Sequence, residues 1–262
     1  MIDKNSSIGV FDSGLGGLSV LKVIKELLPN EDIIYFGDSN NAPYGVKSLE
    51  EVVNLTRNAF DFLMSKEVKA VVLACNTATS AAVDILRKSY DSIIIGMEPA
   101  LKTAVVNNTI GDIVVMATPM TLREKKFDKL MSGYSNEYSI IKLPTPKIVE
   151  YVENNSIDCD FKDLLNDYFG IYDLSKIESI VLGCTHFVFV KDEIDRYFKS
   201  NVKLYDGNQG TVVHLKRQLA SRKLLKEDGA EGLVTVYNTS KSSKEGIIRR
   251  LIPGIDFRYI SI

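Results

Sequence analysis

The chain has 262 residues, of which 45% are hydrophobic, and this is enough apolar material for one large core or two modest ones. Its 32 basic and 34 acidic side chains give a formal net charge of −2, and no Lys/Arg-rich run occurs, which argues against a nucleic-acid-binding protein held by a basic surface. No apolar run approaches the roughly 20 residues that span a bilayer, and the N-terminal residues lack the apolar segment of a signal peptide, so we expect a cytoplasmic protein without membrane contact.

Short apolar runs rich in β-branched residues alternate along the chain with segments of helical periodicity. After the first run comes a glycine-rich turn, and then a segment in which apolar residues recur at helical spacing from Leu18 to Leu28 before Pro29 ends it. A helix also fits residues 49–64. This alternation is typical of an α/β protein with a mostly parallel sheet that is buried on both faces. The predicted strands are Ile8–Phe11, Ile33–Phe36, Ala70–Leu73, Ile93–Ile95, Ile113–Ala117, Ile180–Leu182, Val202–Tyr205 and Leu233–Val236.

Polar residues and glycines follow the carboxyl ends of six of these predicted strands. Because ligands of parallel α/β sheets bind beyond the carboxyl ends of the strands, the six turns predict one or more binding clefts. In chain order the turns are Asp12-Ser13-Gly14, the stretch from Gly37 to Gly45, Cys75-Asn76-Thr77, Thr118-Pro119, Cys184-Thr185-His186 and Asp206-Gly207-Asn208.

Two of these turns follow the same short sequence pattern. Residues 72–75 and 181–184 both read Val-Leu-small-Cys at a strand end, and a threonine follows within two residues. The two copies are separated by about one domain length. Two similar α/β lobes that face each other would produce this spacing.

The turn Asp12–Gly17, with the sequence DSGLGG, does not match a nucleotide-binding motif. Counted from Gly14, the dinucleotide pattern G-x-G-x-x-G ends on Ser19, and a Walker loop would require Gly-Lys-Ser/Thr. Two interpretations stay open for the glycines: a flexible strand-to-helix turn, or backbone N–H groups that approach an anion at a helix start. Asp12 adds an acid that could orient an ammonium group or tune a thiol.

The chain has three cysteines, Cys75, Cys159 and Cys184, with no C-x-x-C pair, so we expect neither a disulfide framework nor a zinc site. Cys75 and Cys184 each follow a strand and precede a predicted helix start, where the helix dipole favours a thiolate. Since a free thiol has a pKa of about 8.5, a modest shift would make either one a base at neutral pH. Two such thiols suit the removal of a proton from one face of a carbon and its return to the other. Cys159, in a polar stretch, is expected to be structural.

Of the two histidines, only the one beside a strand-end cysteine is expected to take part in a site. His186 follows Cys184 by two residues, and we expect it to form a hydrogen bond or an ion pair there. His214 falls in an amphipathic helical stretch and is assigned no functional role. The charged residues between 241 and 250 are read as a solvated helix face.

Five segments that run in order over nearly the whole chain resemble the aspartate/glutamate racemase superfamily, and within it the glutamate racemases. Each segment alone is short, and the combination is specific. The segments are GVFDSGLGGLSV at 9–20, YFGDSNNAPYG at 35–45, ACNTAT at 74–79, GMEPALKTAV at 96–105 and GCTH at 183–186.

The resemblance implies two α/β lobes with the active site in the cleft between them. The first lobe would comprise residues 1–96 and 209–262, and the second residues 97–208. Cys75 would act on the α-hydrogen of one enantiomer of glutamate and Cys184 on that of the other, with Asp12 assisting near Cys75 and His186 near Cys184. The residues that would hold the substrate are Asp12, Ser13, Tyr44, Gly45, Asn76, Thr77, Thr185 and His186.

The resemblance also implies that the reaction uses neither pyridoxal phosphate nor a metal ion, that the protein is a homodimer, and that it supplies D-glutamate for peptidoglycan. Without a cofactor as electron sink, the site itself must stabilise the carbanion formed at the α-carbon. Backbone N–H groups and the Ser, Asn and Thr side chains of the strand-end turns, in a closed dry cleft, are the available means.

Three alternatives remain at this point. The nearest is a racemase of the same superfamily for aspartate or another amino acid. Aspartate-type sequences tend to carry His shortly after the first Cys-Asn-Thr and Glu after the second Cys-Thr, whereas this chain has Thr79 and His186 there, which favours glutamate. The others are a small-molecule binding protein with inert cysteines and a metal- or nucleotide-dependent enzyme.

Overall fold

The computed structural model describes residues 2–97, 99–134, 137–154 and 161–262. Within these ranges the chain forms two sheets with apolar side chains packed on both faces of each. The strands are β1 (Ile8–Asp12), β2 (Ile33–Gly37), β3 (Ala70–Leu73), β4 (Ile93–Gly96), β5 (Asp112–Ala117), β6 (Ile140–Pro144), β7 (Ile177–Leu182), β8 (Lys203–Asp206), β9 (Val234–Asn238) and β10 (Arg258–Ser261). The helices are α1 (Leu18–Leu27), α2 (Leu49–Met64), α3 (Asn76–Ser89), α4 (Leu101–Asn107), α5 (Pro119–Arg123), α6 (Lys125–Ser132), α7 (Lys147–Glu153), α8 (Lys162–Phe169), α9 (Lys191–Tyr197), α10 (Asn208–Ser221) and α11 (Glu245–Leu251). Short 3-10 helices lie at Tyr44–Val46, Leu174–Lys176 and Thr185–Val190.

The six-stranded sheet has the order β10-β9-β2-β1-β3-β4, and the four-stranded sheet has the order β6-β5-β7-β8. All neighbouring strands pair in parallel. We call the six-stranded sheet with its helices the first lobe and the four-stranded sheet with its helices the second lobe. The first lobe takes its strands from both ends of the chain and the second from the middle. The predicted fold class, α/β with two lobes built on parallel sheets, is confirmed.

Each of the eight predicted strands overlaps an observed one. Central strands of a parallel sheet are buried on both faces and therefore read as continuous apolar runs, as in β1, where all five residues are buried. Sequence reasoning does not predict β6 and β10. Both are edge strands, and charged residues such as Lys142 and Arg258 interrupt their apolar pattern.

The predicted helix over residues 49–64 is confirmed by α2. It begins with a capping box: the Ser48 hydroxyl accepts from the Glu51 N–H at 3.2 Å, and the Glu51 carboxylate accepts from the Ser48 N–H at 3.0 Å. Two N–H groups that lack partners inside the helix are thereby satisfied.

The two lobes share one continuous apolar cluster. Leu15, in the turn before α1, and Leu18, its first residue, belong to the same buried cluster as Phe187 and Val190 of the second lobe. α1 also packs against the 3-10 helix Thr185–Val190 of the second lobe. The turn between β1 and α1 is therefore held against the second lobe at the point where the strands of both sheets end. No helix in the described part of the chain is long and apolar enough to cross a bilayer.

Candidate active site

The turns after β1, β2, β3, β5 and β7 meet between the lobes. All ten residues expected at the site are buried, and hydrogen bonds or charge interactions connect several of them across the interface between the lobes. The turn after β8 does not join them. Asp206 instead accepts from Lys191 at 3.4 Å and lines other cavities, of about 400 and 350 Å³.

Cys75 is the N-cap residue of α3, as its position after a strand predicts. Its sulfur accepts from the Ala78 N–H at 3.4 Å, and its thiol donates to the Ser13 hydroxyl oxygen at 3.4 Å. Burial raises the pKa of Cys75 to about 12, and the negative charges of Asp12 and Cys184 add to the rise. The expected lowering of this pKa by the helix start is thus wrong for the free protein, because burial outweighs the bonds to Ser13 and Ala78.

Cys184 precedes the 3-10 helix Thr185–Val190 and is 8% exposed. Its sulfur forms no capping bond to that helix, and lies instead 3.6 Å from Nδ1 of His186. The two cysteines therefore differ in their surroundings: Cys75 is bound by a hydroxyl and a backbone N–H, and Cys184 by an imidazole.

His186 bridges Cys184 and a carboxylate that the sequence did not point to. Its Nε2 lies 2.8 Å from Oε1 of Glu153, the last residue of α7. Burial alone would lower the pKa of His186, but its hydrogen bonds to Cys184 and Glu153 outweigh burial and raise the pKa well above its usual value. The expectation that His186 forms a hydrogen bond or ion pair is confirmed, and the pair is buried.

Glu153 was missed because no turn, glycine or cysteine marks it in the sequence. It lies on the buried face of α7, together with Ile148, Val149 and Val152. A carboxylate at an apolar position of an amphipathic helix is the signal that could have identified it, since buried charges are paired.

Asp12 connects the two lobes and is fully buried. Its carboxylate accepts from the Gly14 N–H at 2.9 Å and from the Thr185 hydroxyl at 3.0 Å. Burial raises the pKa of Asp12, and the neighbouring His186 opposes the rise. Asp12 is thus close to the charges of both cysteine centres, rather than near Cys75 alone.

The glycines of the turn Asp12–Gly17 allow the first lobe to approach the second. A Cβ on Gly14 would lie 1.9 Å from Oε1 of Glu153, and one on Gly16 would lie 2.3 Å from Nδ1 of His186. The N–H groups of the turn do meet anions, which are the protein's own carboxylates: Leu15 donates to Glu153 at 2.6 Å, and Gly14 donates to Asp12. The structure therefore supports the second interpretation, with the protein's own carboxylates as the anions, and adds close packing between the lobes as a further reason for glycine here.

A second contact between the lobes consists of three hydroxyl groups. Thr77, at the start of α3, lies 2.9 Å from Thr118, which lies 3.0 Å from Thr121. Gly45 faces the same point, since a Cβ there would lie 2.4 Å from the Cβ of Thr118. These contacts bring the turns after β2 and β3 against the turn after β5.

Tyr44 and Asn76 complete the set of expected residues. The Tyr44 hydroxyl donates to Asp38 at 2.6 Å, and Thr239 from the end of the chain donates to the other oxygen of Asp38 at 2.8 Å. Asn76 is buried at the first position of α3. Cys159 lies outside the described residues. Among the residues described, no three His, Cys, Asp or Glu side chains are grouped as a metal site requires.

The geometry offers two thiols at the ends of strands from facing sheets, each with its own partners for proton transfer. Hydroxyl and N–H donors surround them, and little water can enter because these groups are buried. Such an arrangement can remove a proton from one face of a bound carbon acid and deliver a proton to the other.

Comparisons with known proteins agree with this chemistry. The sequence profile of the Asp/Glu/hydantoin racemase family matches residues 8–215. A glutamate racemase of Clostridium botulinum strain Alaska E43 is 48% identical over 246 residues, which cover 93% of this chain and 95% of that protein. The crystal structure of the glutamate racemase isoform RacE1 of Bacillus anthracis has a TM-score of 0.87 and 28% identity, and covers 99% of this chain and 98% of that one. The glutamate racemase of Francisella tularensis, in complex with D-glutamate, has a TM-score of 0.84 and 27% identity with the same coverage.

Proposed function

This chain belongs to the Asp/Glu/hydantoin racemase family and, within it, to the glutamate racemases, and we propose that it interconverts L-glutamate and D-glutamate by proton transfer between two opposed cysteines. The observation that supports the mechanism is the placement of Cys75 and Cys184 at strand ends of facing lobes, with different partners. As a racemase, the protein is an isomerase.

In the proposed reaction one sulfur removes the α-hydrogen while the other thiol protonates the opposite face. Cys75, with its raised pKa, holds its proton in the free site and is therefore the acid when Cys184 is the base. In the reverse direction Cys75 must first lose that proton. Asp12 is the neighbouring group that can take it, because burial raises the pKa of its carboxylate and so makes it a stronger base. His186, held by Glu153, can exchange a proton with Cys184 across 3.6 Å.

Substrate binding is assigned to the buried donors and acceptors between these sulfurs. We propose that Asp12 binds the α-ammonium group and that the carboxylates are held by hydroxyl and amide donors. Those donors are Ser13, Tyr44, Gly45, Asn76, Thr77 and Thr185, together with the imidazole of His186. A carbanion formed in such a dry site is stabilised by donors that are already oriented, so the reaction is proposed to need neither pyridoxal phosphate nor a metal ion.

We propose lobe boundaries at 96/97 and 208/209, since the chain passes between the two sheets after β4 and again after β8.

The remaining proposals concern the protein in the cell. From the resemblance we propose a homodimer in the cytoplasm that supplies D-glutamate for peptidoglycan. Light scattering coupled to size exclusion measures the subunit number directly, and a monomer would contradict the dimer.

The test is circular dichroism of L-glutamate incubated with the purified protein in deuterated buffer. Loss of optical activity together with deuterium at the α-carbon is expected, without added cofactor and with chelator present. L-aspartate run in parallel distinguishes the substrates: faster turnover of aspartate would reject glutamate. If the protein binds glutamate but no hydrogen exchange occurs at the α-carbon, the proposal of catalysis is rejected altogether.

A further inference from the structure

Glu153, the last residue of α7, binds three groups of the first lobe. Two first-lobe groups bind its carboxylate: the Leu15 N–H donates to Oε1 at 2.6 Å, and the Ser39 hydroxyl donates to Oε2 at 3.3 Å. A third group, the ammonium of Lys244, donates to the backbone carbonyl oxygen of Glu153 at 2.6 Å. The same carboxylate binds His186, so the attachment point of the lobes is also a partner of the active-site histidine.

Lys244 is well placed to hold this helix end. The last carbonyl groups of a helix have no partner inside it, and a cation there also interacts favourably with the helix dipole. Lys244 is half-buried and immediately precedes α11, and its own N–H donates to the Tyr259 hydroxyl at 3.1 Å. Its backbone is therefore fixed to the first lobe, while its side chain reaches the second.

A short series of contacts leads from Lys244 to the reacting sulfur. The Lys244 ammonium fixes the backbone of Glu153, the Glu153 carboxylate lies 2.8 Å from Nε2 of His186, and Nδ1 of His186 lies 3.6 Å from the Cys184 sulfur. His186 and Glu153 have 2% and 10% of their side chains exposed, so water cannot replace a misplaced carboxylate easily. A shift at the end of α7 would therefore reach the group that exchanges a proton with Cys184.

We propose that Lys244 is a positioning residue for racemisation: by binding the carbonyl of Glu153 across the lobe interface, it keeps the Glu153 carboxylate within reach of His186. The proposal rests on the racemase function proposed above. It assigns Lys244 no contact with substrate, and it predicts an effect on the Cys184 half of the reaction.

The titratable groups that face His186 are Asp12 from the turn after β1, Glu153 from α7 and Cys184 from the end of β7. Glu153 helps to raise the pKa of His186, so a loosened carboxylate lets that pKa fall. The imidazolium form is then lost at a lower pH. Activity that depends on the imidazolium should accordingly begin to decline at a lower pH on the alkaline side.

The experiment compares K244M with a matched control, K241M, which removes the same charge from an exposed position of the same segment. L and D enantiomers have equal free energy, so kcat/KM must change equally in both directions, and any asymmetry appears in kcat and in isotope effects.

K244M is expected to lower kcat about 3- to 10-fold. This is the loss expected when one charge-assisted hydrogen bond is removed while the bonds of Leu15 and Ser39 to the Glu153 carboxylate remain. The primary isotope effect should rise for the enantiomer deprotonated by Cys184, and the alkaline limb should move to lower pH. K241M should match the wild type, and K244R should recover most of the activity.

A double-mutant cycle with E153Q tests the route of the effect. If Lys244 acts through the Glu153 carboxylate, K244M should cost little in the E153Q background. Equal losses in both backgrounds, or K244M indistinguishable from K241M in kcat, isotope effect and pH profile, would overturn the inference while leaving the proposed function intact. A wild type that does not racemise glutamate would overturn both.

Discussion

Replacing Gly45 with alanine tests whether catalysis depends on the close approach of the two lobes. Gly45 lies in the 3-10 helix Tyr44–Val46 of the first lobe, and a Cβ there would be 2.4 Å from the Cβ of Thr118 in the second. Ordinary contact begins near 3.4 Å, so the lobes must separate locally by about 1 Å. Because the contact is with Cβ, no side-chain rotation of Thr118 can relieve it.

The separation should reduce activity much more than stability. Misplacement of catalytic groups by about 1 Å can cost on the order of 100-fold in rate, so we expect kcat/KM of G45A to fall about 100-fold. Gly45 is not among the described glycines with positive φ, so alanine fits its backbone. The Tm should therefore change by no more than about 3 °C.

The assay is racemisation followed by circular dichroism, with the Tm from calorimetry. Gly210 in α10 provides the control, because a Cβ there would meet nothing within 4 Å. G210A should keep full activity and gain about 0.5 kcal/mol of stability. The reasoning is refuted if G45A keeps more than half of the wild-type kcat/KM, or if its activity and Tm collapse together.

Three further predictions follow from the cysteines and from a buried ion pair. Cys75→Ala and Cys184→Ala should each lower racemisation at least about 100-fold in both directions, since a positioned acid or base contributes roughly 10²–10⁴; circular dichroism measures this, and near-normal turnover in either variant contradicts a two-base mechanism. With a pKa of about 12, only about one Cys75 in 10,000 is a thiolate at pH 8. Its alkylation by iodoacetamide, followed by mass spectrometry, should therefore accelerate about tenfold per pH unit from pH 8 to 10. A rate that levels off above pH 8 argues against the raised pKa. Lys69 and Glu31 form an ion pair 2.5 Å apart with no side-chain exposure, so Lys69→Met should lower the free energy of unfolding in urea by about 3–5 kcal/mol, and an unchanged midpoint would show that the pair is dispensable.

The central strands can be predicted from the sequence, because a parallel strand that is buried on both faces consists of a continuous run of apolar residues. Every residue of β1 and β3 is apolar enough to be buried on both sides, except where Asp12 ends β1 at the site. β6 is not a continuous apolar run, because it lies at the edge of the second sheet, where the Lys142 side chain stays exposed. Edge strands need less apolar sequence, so their existence depends on a neighbour rather than on their own residues.

The sequence by itself determined where the groups that we propose to react lie along the chain. Cys75, Cys184, Asp12 and His186 all lie in strand-end turns, and parallel strands bring such turns to one edge of a sheet. What only the tertiary structure decided is how those groups behave. The Cys75 pKa rises because the two lobes bury the thiol. Glu153 lies 138 residues from Leu15 along the chain, and it binds the Leu15 N–H and His186 only when α7 packs against the turn Asp12–Gly17. Burial and contact between distant residues are properties of the packed chain, and no local pattern of residues specifies them.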